Sequence, residues 1–230
     1  QVTALETAHA LTLETAQPEW DAAQARWETE HRERSLGGWE PLRLESWKVE
    51  TAPGSLAQAE DGTIRAAAAA GGTPTVYDLT LRSVSKEGVR GLRLEIPAEA
   101  ASGRGTTGEV QRLARVEAWL VAADSGSAET KPTPLKVVEA AAAGAGGDAF
   151  LRDLTDERLE TGWKWGGASD PALYLRTETP VALSGGAALR LRLVFTAGGE
   201  PSRLRISATT SETFPVYIAM PARLRELLGR

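Results

Sequence analysis

From Gly38 to Thr210, apolar side chains recur at every second position, the period of a strand with one buried face. The runs are Leu42 and Leu44, Trp47 and Val49, Tyr77 to Leu81, Leu92 to Ile96, Val116 to Leu120, Leu135 to Val138, Leu173 and Leu175, Leu189 to Phe195, and Leu204 to Ala208. Gly, Pro, Ser and Asp separate them, which predicts about nine or ten strands. No long helical pattern lies between the runs, so a parallel βαβ arrangement is disfavoured. An antiparallel two-sheet β-sandwich, of the jelly-roll type, fits best. The one-residue phase slip at Ser46 predicts a bulge. Asp61-Gly62, between Ser55–Glu60 and Thr63–Ala67, supplies the positive φ of a tight hairpin turn.

Both ends carry a different pattern. Leu13, Trp20 and Trp27 recur at seven-residue spacing, with Ala16 and Ala23 filling the same stripe, which predicts a coiled-coil-like helical segment over residues 1–36. Pro18 interrupts it and fits the first turn of a second helix. A stripe this short must pack on the following domain or on helices elsewhere. The expected division is therefore a helical segment over 1–36, a sandwich over 37–213, and a C-terminal linker and helix over 214–230, helical at Pro221 to Leu228 and leading to a further domain. A chain starting at Gln1, without Met or a signal-like apolar core, is expected to be a piece of a longer polypeptide.

Charge narrows the partners. The chain has 26 basic and 31 acidic side chains, for a net charge of -5. Residues 1–36 hold seven of those acids against three arginines, so the sandwich is nearly neutral. It lacks the positive field that holds a phosphate backbone, and nucleic acid is excluded as an expected partner. No apolar run approaches the roughly 20 residues of a membrane-spanning helix, so no membrane partner is expected. There is no cysteine, which removes disulfides, thiolate metal sites and covalent haem attachment from this stretch. Arginine far outnumbers lysine, and the alanine runs 66–70 and 140–143 read as compositional bias.

Catalytic chemistry finds little footing. Both histidines, His9 and His31, precede the sandwich, leaving it no imidazole for a triad or a zinc site. Gly103-Arg104-Gly105-Thr106-Thr107-Gly108 has the spacing of a dinucleotide fingerprint. It does not come directly off a strand, however, and too few residues separate it from Asp124 for a helix and a second strand. A glycine-rich loop between strands is the better description. Paired carboxylates of a glycoside hydrolase cannot be singled out among 31 acids; such an enzyme would hold two of them about 5 to 9.5 Å apart in an open cleft.

The segment from Asp153 to Gly167 is the most informative. Asp153 and Asp156 are candidate ligands of a structural calcium, helped by loop carbonyls. Trp163 and Trp165, two apart on a strand, face one side. They either stack on a sugar ring or fill the core beneath a loop. Arg43, Arg82, Arg93, Arg190, Arg192, Arg203 and Arg205 stand out of phase with the apolar positions. If their strands share a sheet, they form a guanidinium-rich face, either a binding surface or a solvated face with Glu45 and Glu95 interspersed.

The order of Trp39, Asp61-Gly62, Tyr77, Gly91-Leu92-Arg93-Leu94-Glu95, the Gly103–Gly108 loop, Asp156 with Thr161-Gly162-Trp163, and Arg203 to Thr210 resembles the central region of the planctomycete cytochrome-c-domain proteins. The Asp…Thr-Gly-Trp element is also similar to galactose-binding-like (discoidin-type) jelly rolls. The resemblance implies a non-catalytic module of a larger extracytoplasmic protein, with loops at one end that bind glycan and with a structural calcium. On this view Trp163, Trp165, Asp156 and Arg104 of the glycine-rich loop are the candidate ligand contacts. The family often has a histidine before the Arg203 strand, where this chain has Gly199-Glu200-Pro201-Ser202, and no role for that imidazole carries over. The rival expectation is a spacer that orients a haem module and a downstream domain, whose partners are other domains of the parent chain.

Overall fold

The computed structural model describes residues 18, 21–23, 25–26, 38–50, 54–67, 73–83, 88–97, 111–122, 132–144, 149–166, 170–183 and 187–221. Thirteen strands form two antiparallel sheets: β1 (Trp39–Pro41), β2 (Arg43–Val49), β3 (Ser55–Gln58), β4 (Thr63–Ala67), β5 (Thr75–Arg82), β6 (Gly88–Glu95), β7 (Gln111–Val121), β8 (Thr133–Pro134), β9 (Val137–Ala143), β10 (Trp163–Trp165), β11 (Ala172–Ala182), β12 (Ala188–Phe195) and β13 (Arg203–Thr209). Among the described residues, two short helices pack on it, α1 (Leu151–Thr155) and α2 (Phe214–Ala219). The first sheet runs β3-β4-β13-β6-β11-β9, with β1 following β4 along the same side of β13. The second runs β10-β7-β12-β5-β2, with β8 beside β7. This is the expected sandwich.

Strict alternation places the core between the sheets. In β12, Leu189, Leu191, Leu193 and Phe195 point inward and are at most 3% exposed, while Arg190 and Arg192 point out. Leu191 lies between Leu79 of β5 and Ala118 of β7, and Ile206 of the facing sheet lies beside Leu94. Each such leucine contributes roughly 1.5–3 kcal/mol by leaving water. Leu42 is fully buried at the corner where the chain passes from β1 in one sheet to β2 in the other. The bulge falls at Glu45, one residue before the predicted slip at Ser46, between the Leu44–Leu81 and Ser46–Thr80 pairs.

The β3–β4 turn is longer than the dipeptide suggested. Ala59 N–H donates to Thr63 O and Gly62 N–H to Ala59 O, so four residues make the loop, with the positive φ (81°) at Gly62.

The sandwich has two seams. At one, α1 packs against β7 of one sheet and β9 of the other and inserts Leu154, fully buried, into the core. A five-residue helix leaves too short a periodic trace to be foreseen. At the other seam, β2 lies beside β3.

Two sequence expectations change. Ala140–Ala143 is not mere bias but the body of β9, paired with Leu175 to Ala172 of β11. Its small side chains leave room on the outer face for α2, where Ala141, Ala172, Tyr174, Phe214, Tyr217 and Ile218 form a second apolar cluster. The helical exit therefore begins at Phe214 and belongs to the sandwich; 222–230 lies outside the described residues. Gly91 on β6 is the socket for this helix, since a Cβ there would drive into the Phe214 ring. The Leu13, Trp20 and Trp27 stripe also lies outside the described residues, although Pro18, 21–23 and 25–26 are helical and exposed.

Candidate functional site

The Asp156–Trp163 element is a structural device. Asp156 Oδ1 accepts from the Arg158 N–H (3.1 Å) and the Thr161 hydroxyl (2.8 Å), which closes the turn ahead of β10. Gly162, at φ 104°, then brings β10 against β7 so closely that a Cβ would strike Leu113 O and Ala114 Cα. Trp163 and Trp165 come next, on the inner face at 0% and 2% exposure. Their rings stack at 5.0 Å, and Trp165 meets Phe195 edge-on at 6.1 Å, with Tyr77 beyond at 5.2 Å from Phe195. The inward face is the hydrophobic one, so both rings fill the core and neither presents a face to a sugar. That corrects their assignment as ligand contacts. Asp156 is committed to its turn, and Asp153 pairs with Arg152 at 3.3 Å. Among the described residues, no three acidic, imidazole or thiol side chains converge as a metal site. Arg104 lies outside the described residues.

The out-of-phase arginines divide between the two outer faces and are mostly paired. On the second sheet Arg82 donates to Glu45 (2.7 Å), Arg190 forks onto Asp78, and Arg192 binds Glu50. On the first, Arg93 meets Glu95 (3.0 Å) and stacks over Trp39 at 4.9 Å, while Arg205 reaches Asp61. Interspersed carboxylates thus turn the expected guanidinium surface into ladders of ion pairs. The Arg82 hydrogen bond holds the Glu45 carboxyl below its ordinary range.

A groove of about 500 Å³ lies at the β2–β3 seam, between the β1–β2 corner and the β3–β4 hairpin. Its size is that of a small-ligand site. Leu44 and Arg43 line it from β2, and Gln58, Ala59 and Glu60 from the hairpin. Gln58 fixes the two walls: its Oε1 accepts the Leu44 N–H (2.8 Å), and its Nε2 donates to Leu42 O (2.7 Å) and Gly62 O (3.1 Å). Asp61 stiffens the turn by accepting the Thr63 N–H and hydroxyl, both at 2.9 Å. Those bonds hold its carboxyl below the usual range.

The bulge at Glu45 resets which residues of β2 face inward. Leu44 pairs with Leu81 and Trp47 with Leu79, so Trp47 is the next residue on the Leu44 face. It is 40% exposed, an indole at an inward-facing position left open by the seam. The signal for it was present in the sequence, as a tryptophan directly after a phase slip, but exposure there depends on what covers the seam.

Two antiparallel sheets with an open, polar-walled seam define a jelly-roll β-sandwich domain. No protein-family profile and no curated protein matches the sequence. Among solved structures, the chain is similar to a carbohydrate-binding module, TmCBM27, described for specific mannan recognition. The identity is 10% over 75% of this chain and 86% of that one, at a TM-score of 0.28.

Proposed function

We propose that the chain is a non-catalytic glycan-binding module and that sugar binds in the β2–β3 seam groove. The observation that carries this is Trp47, 40% exposed on the same β2 face as Leu44, which itself lines a groove whose walls bear Arg43 and Glu60. An aromatic face covers the apolar face of a pyranose, and charged side chains at the rim hydrogen-bond its hydroxyls. The same resemblance that suggested a glycan supports a setting within a larger extracytoplasmic protein. The test is affinity gel electrophoresis of the purified chain through a panel of soluble polysaccharides. The wild type is expected to be retarded by at least one of them and Trp47→Ala by none, with the fold of the variant checked by thermal melting. Retention of the variant equal to wild type, or no retention of wild type, rejects the proposal.

A second reading, as a surface for neighbouring domains, is favoured by Phe150 and Leu159. Both are large apolar side chains, 51% and 40% exposed, within one short stretch around α1.

A further inference from the structure

Among the described arginines of the second sheet, Arg43 on the groove wall is used differently from the others. Arg82, Arg190 and Arg192 on the same sheet each hold a carboxylate. Arg43 is directly opposite Arg82 across the β2–β5 ladder, a like-charge pair that costs stability. Glu45 answers Arg82, while among the described residues Arg43 has no ion-pair or hydrogen-bond partner. Glu60, on the hairpin wall, has none either. An uncompensated charge held against a like neighbour breaks the local pattern without a structural gain, which marks a position retained for contact with something else.

The two free groups are complementary. A guanidinium only donates hydrogen bonds and an ionised carboxylate only accepts them. Their charges cancel, so the groove offers one donor wall and one acceptor wall with no net charge. A ligand bearing a carboxylate or sulfate would gain from Arg43 but meet Glu60. A sugar hydroxyl both donates and accepts, and so satisfies both walls. From this geometry we infer that the groove selects an uncharged polysaccharide, with Arg43 and Glu60 as its donor and acceptor contacts. This inference rests on the glycan reading of the groove.

The test compares soluble neutral glucomannan and hydroxyethylcellulose with acidic polygalacturonate and alginate, by affinity electrophoresis and titration calorimetry, at about 20 and 500 mM NaCl to vary screening. The wild type is expected to bind a neutral polymer with affinity unchanged by salt and to ignore the acidic ones. Arg43→Ala and Glu60→Ala are each expected to weaken neutral binding about tenfold or more, the scale of a lost charged hydrogen bond. Neither should lower the melting temperature. Glu60→Gln, which leaves Arg43 unopposed, is expected to gain salt-sensitive binding of polygalacturonate. Preference of the wild type for an acidic polymer, abolished by Trp47→Ala, overturns the inference and leaves the groove a glycan site. Neutral binding that survives both alanine variants but not Trp47→Ala does the same. No retention on any polymer overturns the glycan reading, and the inference with it.

Discussion

Tryptophan does different work at different positions of this chain. Trp163 is fully enclosed and carries the stack to Trp165; Trp39 lies under the Arg93 guanidinium and edge-on to Phe214; Trp47 lies open in the seam. Trp163→Ala is therefore expected to cost about 3–5 kcal/mol in urea unfolding, the scale of an emptied aromatic core site. Trp47→Ala should cost less than about 1 kcal/mol, as for other half-exposed positions. Equal losses for the two would show that Trp47 is a core residue. That Trp163 and Trp165 share a face was legible from their spacing. Which way that face points was not, because it depends on Gly162 letting β10 join the edge of the second sheet, a pairing made with residues some fifty positions earlier.

At the scale of elements, the sandwich depends on small residues where something packs closely. Gly91 leaves the space that the Phe214 ring fills, so α2 lies flat on β6, β11 and the alanines of β9. Gly91→Ala is expected to destabilise by about 1–3 kcal/mol through overpacking. Phe214→Leu in the same chain should recover part of that loss, a coupling that a double-mutant cycle in denaturant measures. Additive losses would mean that the helix does not seat on that glycine. Strands such as β12 were readable because leucine and arginine alternate without a break. Of β9 only the start, in the Leu135–Val138 run, was legible, because a run of alanines has no alternation to read; its two faces differ only in what they meet. The five residues of α1 and the three of β1 are set by tertiary packing, which no local pattern carries.

For the molecule as a whole, pH stability should be limited at both extremes by identifiable groups. The Tyr77 phenol is pushed well above its ordinary 10.0, by burial first and by the negative Glu200 second. Its neutral form is favoured in the folded state, so its contribution is complete below pH 10 and falls as pH rises beyond it. The melting temperature should therefore drop above pH 10, and Tyr77→Phe should blunt the drop. At the acid end Asp61 is held below its ordinary 3.8 by the Thr63 N–H and hydroxyl. Its contribution is present above that value and is lost as pH falls through the depressed one, loosening the hairpin, which amide exchange at Thr63 would report.

All three side-chain hydrogen bonds of Gln58 go to main-chain atoms, of Leu42, Leu44 and Gly62. The latch is thus indifferent to the side chains around it. Residues 59 and 60 and position 43 can be rewritten while the loop stays where it is, so the module should accept a library of altered rims as an antibody framework accepts new loops, its preferences retuned without the scaffold being rebuilt.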